Sequence, residues 1–129
     1  MKKYINGLVV LTIVGALVGC ARTAPIEQVH SSVSSGHTQG QVKNAILKAG
    51  IQRQWIMSEV SPGVIKARLQ TRDHEAEVRI IYTATNYEIK YVNSLNLQAS
   101  GGKIHKNYNR WVRNLDKDIQ INLSAGANL

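Results

Sequence analysis

Few stretches of this 129-residue chain carry side chains whose types and spacing could do chemistry. Arg72-Asp73-His74-Glu75, followed by Glu77, sets an Asp–His pair among carboxylates, the ingredients of acid–base work. Neighbouring residues of a strand point to opposite faces, so Asp73 is badly placed to orient His74. A turn residue beside a titratable neighbour is the plainer reading. No GxSxG, HExxH or glycine-rich phosphate loop occurs. The four histidines lack metal-ligand spacing. No catalytic residue, metal or cofactor is expected, and the protein reads as a non-enzyme.

A second pattern points to binding. Lys106, Arg110, Arg113 and Lys117 recur at i, i+4, i+7 and i+11, which stacks them on one face of a helix. That face lies opposite an apolar stripe. It suits contact with an anionic surface: lipid head groups, lipopolysaccharide phosphates or an acidic envelope protein. It equally suits a solvated face that keeps a domain soluble. The basic pI of about 9.9 and the stretch HKNYNRWVR raise nucleic acid as a ligand. Tyr108 and Trp111 fall on the apolar stripe, however, which argues against base stacking. Around the same helix start, Ser94, Asn96, Lys103, His105, Asn107 and Asn109 form a polar cluster. Capping of the free N–H groups is the expected role; lining a small polar groove is the alternative.

The third feature is Cys20, the single cysteine. Without a second thiol it makes no internal disulfide, and a catalytic thiolate would need a structured, electropositive pocket. Ahead of it stand Lys2 and Lys3, then YINGLVVLTIVGALVG, a basic start and an apolar run. These are the parts of an export signal. The run is short for a membrane span, which needs about 20 apolar residues, and Asn6, Gly7 and Gly15 interrupt it. Leu17-Val18-Gly19-Cys20 resembles the lipobox of bacterial lipoproteins, in which the cysteine is acylated and the chain is cut before it. On that resemblance residues 1–19 are the signal peptide and Cys20 is a lipid-attachment point. Ala21, rather than Asp, implies the outer membrane, with the domain facing the periplasm. Export also separates the chain from nucleic acid.

Loss of Lys2 and Lys3 lowers the formal charge of +8 by two. The remaining length suits one small domain without disulfides. Residues 20–37, rich in serine and without apolar period, are expected as the lipidated cysteine and a flexible tether. The folded domain is expected over 38–123, with a frayed tail at 124–129.

Thr38 and Gln41 fit a capping box. Val42, Ala45, Ile46 and Ala49 then recur at helical spacing, and Gly50 stands where a C-terminal glycine belongs. Ile65, Ala67 and Leu69, then Ala76, Val78, Ile80 and Tyr82, then Tyr87, Ile89 and Tyr91 alternate with polar residues. That period of two marks half-buried antiparallel strands. Residues 53–60 read as another strand, either Trp55 and Met57 or Ile56 and Val60 facing inward. Turn signals at Pro62-Gly63, Asp73-His74 and Thr85-Asn86 make these four strands a meander. Opposite charges on its polar face, such as Arg68 and Glu77, are expected to pair across strands. Ile81 and Val92 point outward, the mark of a protein-docking face if nothing covers them. Finally Ile104, Tyr108, Trp111, Val112, Leu115 and Ile119 form a helical stripe, Trp111 its largest anchor. The expected fold is α+β: a helix, a four-stranded antiparallel meander and a C-terminal helix, with helices on one face of the sheet.

From RDHEAEVRIIY through YEIKYVNSLNL to GKIHKNYNRWVRNL, the chain is similar to a group of small Gram-negative bacterial lipoproteins with a lipobox and a single periplasmic α+β domain. The resemblance implies secretion, lipidation at Cys20 and one domain. It implies no reaction. The leading expectation is a lipid-anchored envelope protein that binds an anionic component or surface. The alternative is an assembly accessory that docks a protein partner through the outer sheet face.

Overall fold

The computed structural model describes residues 22–126. The expected signal peptide, Cys20 and residues 127–129 lie outside that range. In order come β1 (Thr23–Pro25), β2 (Val29–Ser32), α1 (Gln39–Gln52), β3 (Ile56–Ser61), β4 (Val64–Gln70), β5 (Glu75–Tyr82), β6 (Asn86–Leu95), β7 (Lys103–His105) and α2 (Lys106–Gly126).

α1 starts where the capping box sets it. Gln41 N–H donates to Thr38 Oγ1 at 3.1 Å, and Thr38 N–H donates to Gln41 Oε1 at 2.9 Å. Val42, Ala45, Ile46 and Ala49 are buried. Gly50 does not end the helix: α1 continues to Gln52, and Gln54 adopts the left-handed conformation (φ 68°) beyond it. Close approach explains the glycine instead. A Cβ there would lie 2.2 Å from Met57 Sδ, where α1 crosses β3.

The sheet has five antiparallel strands rather than four, in the order β2-β6-β5-β4-β3. β3 to β6 form the expected meander, and β2 adds to its β6 edge. Alternation set the facing correctly: Ile65, Ala67, Ala76, Val78, Ile80, Tyr87 and Ile89 are all buried. Both helices lie over this inner face. For the first strand, Met57 turns inward opposite Ala67, whereas Ile56 and Val60 are exposed. Trp55, just ahead of the strand, is buried.

From Arg22 onward, the segment expected as a tether is folded. β1 pairs with β7, placing Ala24 opposite Ile104, and β2 pairs with β6, placing Val29 opposite Ile89. Ile26 N–H donates to Gly102 C=O at 2.9 Å, and Val33 N–H to Thr85 C=O at 2.8 Å. Such short strands have little period of their own; backbone groups far along the chain hold them. At the other end α2 continues through Gly126, so Ser124 to Gly126 extend the helix rather than fray. Ile104 belongs to β7, one step before α2. The largest buried side chain of α2 is Tyr108, not Trp111, which is only half-buried.

Candidate functional site

α2 is amphipathic around its whole circumference. Tyr108, Val112, Leu115, Ile119 and Leu123 are buried against the sheet and α1. Opposite them, Lys106, Arg110, Arg113 and Lys117 are exposed, as the helical period requires. Arg113 is nonetheless engaged: its guanidinium pairs with Glu27, in the segment between β1 and β2. Among the described residues Lys106, Arg110 and Lys117 have no carboxylate partner. The basic face is therefore three free cations and one that fastens the N-terminal segment.

The acids of α2 face elsewhere. Asp116 accepts from Tyr87 Oη at 2.6 Å and from Ser31 Oγ at 3.1 Å. Asp118 pairs with Arg53 at 2.6 Å. Burial, together with the neighbouring Asp116, pushes the Tyr87 hydroxyl pKa well up. Both carboxylates are thus committed to packing contacts, and neither offsets the three free cations at contact distance.

A flank of α2 that the sequence reading passed over carries its own row: Asn109, Arg113, Asp116 and Gln120, again at i, i+4, i+7 and i+11. Asn109 is 3% exposed. Its Oδ1 accepts from Glu27 N–H and its Nδ2 donates to Pro25 C=O, both at 3.0 Å. The row clamps residues 25–31 and Tyr87 onto the helix. Its spacing was visible beforehand; its partners were hidden in an apparent tether.

The N-terminal end of α2 sits beside the start of the described chain. Lys106 N–H donates to Arg22 C=O at 3.2 Å, and Lys103 pairs with Pro25 across β1 and β7. Arg22, Lys103, Lys106 and Arg110 are all exposed. From Lys106 the basic face runs along α2 away from this end.

The polar cluster has varied duties, only one of which is capping. His105 Nδ1 accepts from Asn107 N–H at 3.0 Å at the start of α2. Ser94 Oγ instead bonds Tyr91 Oη at 2.7 Å, Asn96 Nδ2 donates to Asp73 C=O at 2.8 Å, and Lys103 extends into solvent. Asp73 and His74 do not bond through their side chains. His74 Nδ1 meets Asn96 C=O at 2.7 Å, and its ring stacks on His105 with centroids 6.3 Å apart.

On the outer sheet face the register revises the expected charge pairing. Arg68 does lie opposite Glu77, but Lys66 lies opposite Arg79 and Arg79 opposite Lys90. This like-charge row crosses three strands, although Lys90 also pairs with Glu88 at 3.4 Å. Ile81 and Val92 are exposed, with Ile56, Val60 and Leu95. Val92 is pushed out by a bulge facing Glu77 and Val78.

No group of three or more His, Cys, Asp or Glu among the described residues could hold a metal ion. Two open hollows, of about 180 and 250 Å³, lie beside Gly63 and beside His30 and Glu88. Both fall below the usual range of ligand pockets, about 300–1,000 Å³. No described helix is long and apolar enough to cross a membrane. Compared with known proteins, the chain matches no family model and no curated relative.

Proposed function

We propose that the protein is a lipid-anchored envelope protein of the outer membrane, acylated at Cys20, whose domain binds an anionic surface rather than catalysing a reaction. That surface is the head-group layer of the bilayer holding the anchor. The observation that carries this reading is the hydrogen bond from Lys106 N–H to Arg22 C=O. Arg22 stands two residues after Cys20, and two extended residues span about 7 Å. An acyl anchor at Cys20 would therefore hold the start of the basic face within reach of phosphate groups.

Magnitudes favour the arrangement. A basic residue near an anionic membrane contributes about 1 kcal/mol. Lys106, Arg110 and Lys117 supply three such residues, and an anchor removes most of the encounter cost by raising effective concentration. A lone exposed patch would be weak, because salt screens it over about 8 Å at physiological ionic strength. Tied to an anchor, it can set the orientation of the domain.

The test uses the acylated chain in vesicles of zwitterionic lipid with and without anionic phospholipid. Hydrogen exchange in β1, β7 and the first turn of α2 should slow on the anionic vesicles, and salt should reverse the effect. Combined Lys106→Glu, Arg110→Glu and Lys117→Glu substitutions should remove it. Arg113→Glu is a poor probe, because it also breaks the contact with Glu27. Unchanged exchange after the three reversals would sink the reading.

A further inference from the structure

The five-stranded sheet has two edges, and the fold treats them differently. One edge strand, β2, is only four residues long, a length that itself protects an edge, and it belongs to the N-terminal segment that α2 clamps in place. The β3 edge carries no further strand among the described residues. Natural sheets blunt an open edge with lysine, proline or an inward charge. β3 reads Ile-Met-Ser-Glu-Val-Ser and has no lysine and no proline. Its one charge, Glu59, lies on the inward row opposite buried Ile65, but Lys43 of α1 pairs with it at 3.3 Å. A register shift between Glu59 and Ser61 disturbs only the far end, leaving Ile56 to Glu59 regular.

The outer face beside this edge has a definite chemistry. Ile56 and Val60 are 50% and 49% exposed. On the next two strands Val64 lies opposite Ile81, itself exposed, so apolar surface extends across β3, β4 and β5. Between these apolar positions stand Lys66, Arg68 and Arg79, none with a carboxylate within 4 Å among the described residues. Lys66 and Arg79 are directly opposed, a pairing that costs stability in the isolated domain. No outward position of β3 or β4 is acidic.

We propose that the β3 edge is a docking site for an extended segment of a protein partner, which joins the sheet as a sixth strand. Main-chain hydrogen bonds to Ile56–Glu59 supply affinity, as in other strand additions. The partner's outward residues are apolar and acidic, matching Ile56 and Val60 and reaching across β3 to Lys66, opposite Ser58, and Arg68, opposite Ile56. Two other occupants fit less well. A lipid surface would accept an apolar and basic patch, but it offers nothing to the unpaired backbone groups of the edge. A second copy would bring two sets of Lys66 and Arg68 together on one continuous face. This site is separate from the basic face of α2 and does not depend on lipidation.

The experiment titrates the full chain with a short peptide alternating glutamate and valine, and with its lysine–valine counterpart. Saturable binding of the acidic peptide alone, with slowed amide exchange confined to the β3 edge, is expected. Ile56→Ser with Val60→Ser should weaken that binding at least tenfold, and both side chains are exposed enough to leave the fold intact. As a second variant, Lys66→Glu with Arg68→Glu should reverse the preference towards the basic peptide. The proposal is overturned if the acidic peptide fails to bind, if both peptides bind equally, or if the double serine variant binds as before. It is also overturned if that variant instead abolishes self-association of the chain or its retention on anionic vesicles.

Discussion

Tyr87 Oη donates to Asp116 Oδ1 at 2.6 Å, linking the first residues of β6 to the middle of α2 beneath β2. Gln120 Nε2 donates to the same hydroxyl at 2.8 Å, and Ser31 Oγ shares the carboxylate. One contact thus joins the sheet, the C-terminal helix and the N-terminal segment. A hydrogen bond to a charged group contributes about 1.5–3 kcal/mol, and its loss leaves a half-buried acceptor short of a partner. Tyr87→Phe should therefore destabilise the domain by about that amount. Chemical denaturation checks it, with Ser31→Ala as the milder comparison because it removes only the longer bond.

Tyr108 gives the opposite expectation. It too is fully buried, with its ring edge-on to Tyr91 at 5.4 Å, but its hydroxyl has no hydrogen-bond partner among the described residues. Burying an unpaired hydroxyl costs about 1–3 kcal/mol. Tyr108→Phe keeps the ring contact and removes the group that is left unsatisfied. Denaturation should show a neutral or stabilising change of up to about 1–2 kcal/mol. A clear loss of stability would mean that the hydroxyl has a partner after all.

How the sequence could and could not convey this fold is plain in these tyrosines. Alternation placed Tyr87, Ile89 and Tyr91 on the inner face because a half-buried strand imposes a period of two. Helical spacing placed Lys106, Arg110, Arg113 and Lys117 on one exposed face for the same kind of reason. The N-terminal segment has no such signature. β1 and β2 span only three and four residues, too few to show a period, and their serine content imitates a linker. Asn109 and Asp116 hold them from more than 80 positions away. The pairing of Arg113 with Glu27 had no signature either, because Glu27 lies in that apparent linker. The open β3 edge depended on register, which no local pattern specifies.

The folded state of residues 22–33 rests heavily on Asn109. Its amide is almost fully buried and bonds both Glu27 N–H and Pro25 C=O. Asn109→Ala would remove both bonds that hold the segment to α2, at a cost of about 2 kcal/mol. The loss should be local before it is global. Native-state hydrogen exchange is expected to speed up at Ile26 and through β2 while β4 and β5 keep their protection. Uniform acceleration across the whole sheet would show that the segment and the core unfold as one unit.

His37 makes stability depend on pH in a stated direction. Its Nε2 faces Leu123 C=O at 3.0 Å, near the end of α2, and its Nδ1 faces Ser34 C=O at 2.8 Å. Carbonyl oxygens only accept, so both ring nitrogens donate at once only when the imidazole is protonated. The Leu123 contact, then the Ser34 contact, raise the His37 pKa above its ordinary value near 6.5. A raised folded-state pKa favours folding fully below the unfolded value, and the benefit fades as pH rises through the folded one. Thermal unfolding of the wild type should therefore lose stability as pH climbs through and beyond about 6.5. His37→Ala should flatten that slope and be least harmful at the alkaline end. A variant that ran parallel to the wild type at every pH would refute a protonated His37 bridging α2 to the loop before α1.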